Sequence, residues 1–444
     1  MPAVVFAACV GGVQEGPQAP QDDLSTRASA ATGVAFKTSD FMAATACKSC
    51  HPVHYDEWSG SNHSHAMADP VFMALLERQR IDEVASGTDR FCTGCHSPIG
   101  TKSGEINQGF ALEQLSPVVQ EGVTCAGCHH VTGLQDDPRG ESVITPSSAL
   151  QGPYADARSP HATQLSSVLV ASSFCGSCHD VVSESGVRLE SPYAEWLASP
   201  GGPTKKSCQS CHMPEYAGVA ASLEGTALRP NIHRHTFTGA DVPAAVQAAG
   251  GPRLAAQREE SLRLLQSAAS LFVRANSFQS GGPLTLEVTI NNLIEGHQFP
   301  TGSSFFRQFW LTTRVEDMRG ERVFSSGEVD AAGDIFDRHH IDGEKRDPQL
   351  VRLGTYLLDE SGRPTLLPWR AVSAEREAIA PGTSEAYHYS CALREGLSYP
   401  LTVEVRLSFR SYSPMQLRQL GLSELAAALD VIEIARASTI IPAP

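Results

Sequence analysis

In the last third of the chain, apolar and polar residues alternate strictly. Leu284, Leu286, Val288 and Ile290 interleave with Thr285, Glu287 and Thr289, and Leu401, Val403, Val405, Leu407 and Phe409 repeat the pattern. A period of two puts every apolar side chain on one face of an extended chain, so each segment predicts a strand with one buried face. Phe309 to Val315 and Arg322 to Phe324 flank Arg319-Gly320, which reads as a hairpin turn. Upstream the period changes. Over residues 253–274, Leu262, Leu265, Ala269 and Phe272 recur at three- and four-residue steps, predicting a helix with one apolar face. A closing helix is expected near Ser423–Ala435, capped by Ser423 and burying Leu425, Leu429 and Ile432. Strands that follow one another without helices between them point to a β-sandwich.

Residues 41–250 hold neither period for long. They are rich in Gly, Pro, Ser and Ala, so short helical pieces joined by loops are expected there. The fold class expected is therefore mixed: a loop-rich α domain over residues 41–250, a connecting helix over 251–280, and a β-sandwich-like domain with a C-terminal helix over 281–444. Residues 1–40 read as a leader and linker. A length of 444 residues agrees, since it exceeds what one hydrophobic core organises.

Composition narrows the function. With 41% hydrophobic and 19% charged residues the chain is a folded protein rather than a disordered one. No apolar run approaches the roughly 18 residues of a membrane-spanning helix. A net charge of −15 excludes nucleic acid as the natural partner. The charge is uneven: residues 1–250 hold 25 acidic and 14 basic side chains, residues 251–444 hold 24 and 20.

Ten of the twelve cysteines fall into five copies of C-x-x-C-H. They are Cys47, Cys50 and His51; Cys92, Cys95 and His96; Cys125, Cys128 and His129; Cys175, Cys178 and His179; and Cys208, Cys211 and His212. Two thiols at this spacing can add to the vinyl groups on one porphyrin edge, and the histidine that follows reaches the iron as proximal ligand. A disulfide scaffold would not set histidine after every second cysteine, and belongs to small stapled chains. Zinc requires four ligands, so the C-x-x-C units would come in pairs. A thioredoxin-like motif would occur once. Five covalent haems c are the reading that survives. The first cysteines stand 45, 33, 50 and 33 residues apart, too close for separate cores, so the porphyrins must supply much of the apolar interior and lie near one another.

Sixteen histidines are present, and eleven remain after the five proximal ones. An iron with two histidines is an electron carrier, whereas an open axial position can bind a substrate. His63, His161 and His235 are the first-choice distal ligands. His65 and His233 form a second group, with His54 and His130 behind them. Met67 reads as core. Cys9 follows the apolar run Val4-Val5-Phe6-Ala7-Ala8 as the lipidated residue of a lipoprotein signal would, although no basic residue precedes that run. The loop Asp330–Asp347, with Asp334, Asp337, His339, His340, Asp342 and Glu344, reads as a solvated acidic turn.

The motif region resembles bacterial multihaem cytochromes c related to the tetrahaem electron acceptor of hydroxylamine oxidoreductase. The resemblance rests on the five motifs, on Trp58-x-x-Ser61-x-His63, on Phe174-Cys175-Gly176-Ser177-Cys178-His179-Asp180, on Cys211-His212-Met213-Pro214 and on His233-Arg234-His235. The phrase Gly296-His297-x-x-Pro300-Thr301-Gly302 is similar to one in the β domains of many such cytochromes. The resemblance implies haem attachment outside the cytoplasm, in the periplasm or at the cell surface. It also implies electron relay with redox proteins as partners, either other cytochromes or a membrane quinone-linked complex. His297 could serve a haem or merely order the turn before Pro300. The alternative is an enzyme acting on a small nitrogen or sulfur compound at one five-coordinate haem, but no C-x-x-C-K of the nitrite reductase kind is present.

Overall fold

The computed structural model describes residues 35–83, 89–135, 141–147, 149–202, 206–244, 252–276, 282–339 and 346–443. Cys9 and most of the leader lie outside them. The chain divides into two compact units. One is built from the described parts of Cys9–Val181 and Gly201–Ser261, the other from those of Val182–Pro200 and Leu262–Pro444. The segment Val182–Pro200, between the fourth and fifth cysteine motifs, thus belongs with the C-terminal strands.

The motif unit is made of short helices and two-stranded sheets. Pro52, Pro70 and Pro98 open the helices Pro52–Ser59, Pro70–Asp82 and Pro98–Ser103. Proline suits that first position because its fixed φ is helical and its missing N–H would have had no intrahelical partner. Asp69 caps the second helix by accepting the N–H groups of Val71 and Phe72. Met67, Ile99, Ile106, Val119 and Val131 form a fully buried cluster, which gives Met67 the packing role expected of it. Gly100 sits inside this cluster, where a Cβ would lie 2.7 Å from Ile106 Cδ1. Three pairs of strands join the helices: Val131–Leu134 with Ser142–Ile144, Ala149–Gly152 with Ala162–Leu165, and Glu215–Val219 with Leu228–His233.

The helix expected over 253–274 is shorter, spanning Pro252–Ala268. Ala269 instead starts a strand, Ala269–Ala275, paired antiparallel with Leu284–Asn292. Val273 and its neighbours take the ladder hydrogen bonds that the latter strand offers, and Phe272, read as part of a buried helical face, is 59% exposed. Tertiary pairing has overridden a helical period that the last two residues only happened to continue.

In the C-terminal unit both alternating segments are strands, and their apolar residues are fully buried. A three-stranded antiparallel sheet runs Ser384–Cys391, Leu284–Asn292, Ala269–Ala275. A seven-stranded sheet is centred on Gln308–Glu316 and Leu401–Arg410. The hairpin at Arg319-Gly320 forms as expected, with Gly320 at φ 78° and Asp317 Oδ1 accepting from the N–H groups of Arg319 and Glu321. The C-terminal helix does not extend to Ala435. It covers only Ser423–Ala428, and Ile432–Ile441 is a ten-residue strand paired with Leu401–Arg410. The β-branched residues of Ile432-Glu433-Ile434 and Ser438-Thr439-Ile440-Ile441 favour that pairing over a helix.

The described part of the acidic loop, 330–339 and 346–347, is not a solvated turn. Asp334 and Asp337 are buried; Asp334 pairs with Arg418 and accepts the N–H of Met415, and Asp337 lies 3.3 Å from Arg352 Nε. Buried carboxylates persist because each has a cation or N–H facing it. His340, Asp342 and Glu344 lie outside the described residues. Among the described residues no helix is long and apolar enough to cross a membrane.

Candidate haem attachment sites

The local fold explains why the C-x-x-C-H spacing works. Three of the motifs lie within or end short helices, Asp89–His96, Cys125–His129 and Cys208–His212. The other two make the same turn: His51 N–H donates to Cys47 O at 2.8 Å, and His179 N–H to Cys175 O at 2.9 Å. One helical turn sets positions i, i+3 and i+4 on one face, so both thiols and the imidazole of each motif point the same way. The ten motif cysteines are all partly accessible, as covalent attachment requires.

Four motif histidines share one further feature. His51 Nδ1 is 2.7 Å from Ala220 O, His96 Nδ1 2.7 Å from Ala66 O, His129 Nδ1 2.7 Å from Gln151 O, and His212 Nδ1 2.7 Å from Thr238 O. An Nδ1–H donated to a carbonyl fixes the tautomer and leaves Nε2 as the free base, the arrangement found behind metal-bound histidines.

The structure also brings motif histidines against histidines from elsewhere in the chain. His51 and His161 have ring centroids 6.3 Å apart, His63 and His179 6.1 Å, and His129 and His235 6.4 Å. One metal ion between two imidazoles, at metal–nitrogen distances of roughly 2 Å plus roughly 1 Å to each ring centre, would set the centroids roughly 6 Å apart. The residues present therefore fit an iron held between paired histidines. Burial favours the neutral form, which ligation demands, at three of these rings, His63, His129 and His235. It pulls His63 down to about 3, helped by the neighbouring His179 and His96, and it lowers His129 and His235 as well.

The second group of histidines is placed differently. His65 Nε2 lies 3.2 Å from Ser59 O. His233 bonds Met213 O through Nδ1 at 2.7 Å, with Nε2 3.6 Å from Glu215. His54 sits 4.5 Å from His235, its Nε2 buried without a hydrogen-bond partner, and burial pulls it down to about 4. His130 likewise keeps a buried, unpartnered Nδ1 beside Phe41. Phe72 stacks on the motif histidine His96 at 3.9 Å.

Thiols of different motifs touch. Cys47 hydrogen-bonds Cys125, which lowers Cys47 to about 7 and raises Cys125. Cys178 bonds Cys95 and is lowered to about 6, and Cys175 bonds Cys208 and is raised. Burial chiefly, and then the charge of Cys178, pushes Cys128 up to about 12.

Sequence reasoning missed the residues that hold the rings. Glu57 is one: its carboxylate accepts the His235 backbone N–H at 2.8 Å and pairs with Arg234 at 2.7 Å. Phe237 is another, with its ring 4.4 Å from that of His63. Neither carries a motif signal, because their role comes from long-range packing. In the C-terminal unit, Glu195 organises the Gly-His-x-x-Pro-Thr-Gly phrase by accepting from Gln298 N at 3.1 Å and Thr301 Oγ1 at 2.6 Å. His297 there is half-buried, its Nδ1 2.8 Å from Gln298 O.

Residues 46–130 match the family described as cytochrome c554 and c-prime. Among solved structures, the chain is similar to a penta-heme cytochrome c552 from Thermochromatium tepidum. The two are 19% identical over 90% of this chain and 99% of that one, with a TM-score of 0.64; at that identity the likeness shows the fold. A match to Spo0M, a sporulation control protein from Bacillus subtilis, is 9% identical over 39% of this chain and 49% of that chain; its TM-score of 0.16 carries no argument. No curated protein matches significantly. The fold is that of a multihaem c-type cytochrome. With five attachment motifs and a cytochrome family match across the first three, covalently bound haem c, with its iron, is the cofactor of this chain.

Proposed function

We propose that this chain is an electron relay with five haems, one on each motif, and that it performs no chemistry on a substrate. The observation that carries this reading is that His51, His129 and His179 each stand about one iron's span from a histidine outside the motifs, His51 from both His161 and His54. On this reading His161, His235 and His63 are the distal ligands of the first, third and fourth motifs. The second and fifth draw on His65, His130 and His233, while His54, 6.2 Å from His51, competes with His161 at the first. Bound haem supplies one-electron ferric–ferrous chemistry, and two histidines at the iron favour electron transfer over substrate binding. The polypeptide's part is to fix the imidazole tautomers through backbone carbonyls and to hold the paired rings at that span.

The thiol contacts support an order for the motifs. The first adjoins the third through Cys47 and Cys125. The fourth adjoins the second through Cys178 and Cys95 and the fifth through Cys175 and Cys208, and the charge of Cys178 acts on Cys128 of the third. Motif four is then the junction of the array, and motifs one, two and five are its ends.

Relay of this kind belongs in the periplasm or at the cell surface, where c-type haem is attached, with Cys9 as a lipid anchor. Partners would be other cytochromes or a membrane quinone-linked complex. The acidic motif unit favours a partner with a basic face. The two sheets of the C-terminal unit, with their buried alternating faces, are read as a β-sandwich. A pyridine haemochrome assay with intact mass should count five covalent haems; a lower count refutes the pentahaem reading. Low-temperature electron paramagnetic resonance of the oxidised protein should be dominated by low-spin ferric signals. A sizeable high-spin signal that shifts with nitrite or hydroxylamine would make the protein an enzyme instead.

A further inference from the structure

Among the described residues Phe237 is the one non-glycine residue at positive φ, 46°. A bulky side chain is held in that region only when its surroundings over-determine it, and such outliers gather at functional sites. Both neighbours of Phe237 are pinned. Thr236 O accepts Gln257 Nε2 at 3.1 Å, and Thr238 N–H donates to His212 O at 3.0 Å. Thr238 O in turn faces His212 Nδ1 at 2.7 Å.

The Phe237 ring lies against two histidines at once. It is 4.4 Å from the ring of His63 and 5.8 Å, edge-on at 83°, from the ring of His235. The two differ in their other support. His235 Nδ1 is 3.0 Å from His233 O, whereas His63 Nδ1 is buried without any hydrogen-bond partner. A ligating histidine is normally oriented by a hydrogen bond at its second nitrogen. At His63 that device is missing, and an aromatic wall stands beside the ring instead.

We infer that Phe237 is a positioning residue that sets the ring orientation of His63 and His235, so that one strained residue ties together the ligand sets of the third and fourth motifs. The inference rests on the ligand assignment proposed above. The Phe237 ring takes the place of the missing hydrogen bond at His63, and the positive φ is what lets one side chain reach both imidazoles. The next residue, Thr238, carries the carbonyl that orients His212 of the fifth motif, so the segment 235–238 touches three ligand sets.

The test uses the full-length haem-loaded protein. Phe237→Leu keeps an apolar side chain and removes the ring, Phe237→Gly accepts the positive φ and removes the ring, and Phe237→Tyr keeps the ring. Low-temperature electron paramagnetic resonance and redox titration are the readouts. His63→Ala and His235→Ala identify which two low-spin signals belong to these ligands. In Phe237→Leu, and in Phe237→Gly where it retains five haems, those two signals and their midpoint potentials should move while the others stay. Phe237→Tyr should match wild type. Loss of the two assigned signals in the histidine variants with no movement in Phe237→Leu overturns the role of Phe237 alone. So does an equal shift of all five signals, which would mark mere core filling. Histidine variants that keep the full low-spin complement overturn the ligand assignment itself.

Discussion

Glu57 accepts the backbone N–H of His235 at 2.8 Å through one carboxylate oxygen while the other receives the Arg234 guanidinium at 2.7 Å. The carboxylate is 10% exposed, so both bonds are largely shielded from water. Arg234 is fixed from a second side by the ring of Tyr216, 4.6 Å away. Glu57 therefore sets the backbone from which His235 reaches towards His129. Glu57→Ala removes a charge-assisted hydrogen bond and should cost about 1.5–3 kcal/mol in denaturant unfolding. One low-spin signal, the one lost in His235→Ala, should broaden or shift. Unchanged signals with lowered stability would reduce Glu57 to a structural brace.

His161 and His63 should respond in opposite ways to truncation. His161 is exposed, next to the exposed strand Ala162–Leu165, and His63 is packed against His179 and Phe237 with its Nδ1 buried. His161→Ala should leave the unfolding free energy within about 0.5 kcal/mol of wild type, yet open one axial position. A new high-spin ferric signal and carbon monoxide binding at one reduced haem would show it. His63→Ala should open a position too, with a clear loss of stability as well. A low-spin spectrum unaltered by His161→Ala would remove His161 from the ligand set.

How far the sequence carries can be judged from particular residues. The thiols and proximal histidines were legible because covalent attachment dictates their spacing within one helical turn. His63, His161 and His235 stand out by their place beside the motifs and by the count of histidines against irons; only packing pairs each with a particular motif ring. Glu57, Phe237 and the carbonyls of Ala66, Gln151, Ala220 and Thr238 gave no signal, since a backbone oxygen has no letter and a ring contact no spacing. In the β unit the alternation at 284–290 and 401–409 was sufficient, because a buried strand face must be apolar. The period failed at Ala269 and Ile432, where short segments fitted both helix and strand and the neighbouring strand decided. Asp334 and Asp337 read as solvent-facing because their partners, Arg418 and Arg352, are distant in sequence.

Loss of the fourth motif should do more than loss of any end motif. Its thiols hydrogen-bond Cys95 and Cys208 of two other motifs, and their charge acts on Cys128 of a third. Cys175→Ala combined with Cys178→Ala should lower the haemochrome count from five to four. Stopped-flow reduction should then split into separate phases, as the second and fifth sites lose their shared neighbour. The matching double substitution at Cys47 and Cys50 removes an end and should leave a single dominant phase. Monophasic reduction in both variants would refute the order inferred from the thiol contacts.

Acid should weaken the C-terminal unit through Asp337. Burial alone would raise this carboxyl, but the hydrogen bond with His339 at 3.2 Å and the charges of His339 and Arg352 outweigh it and hold the group below its usual value. A depressed folded-state pKa means that the unfolded chain takes up the proton first. The stabilisation is therefore complete above the unfolded carboxylate value of about 3.9 and is lost as pH falls through the lower folded value. Asp337→Asn removes the charge at every pH and leaves Arg352, 2% exposed at its side chain, facing a neutral group. Breaking one side of a buried pair costs about 3–5 kcal/mol. Denaturant unfolding at neutral pH should show that gap between wild type and Asp337→Asn, and the gap should narrow as pH is lowered below 4. A gap that stays constant down to the acid limit would mean that Asp337 contributes through its shape and hydrogen bonds rather than through its charge.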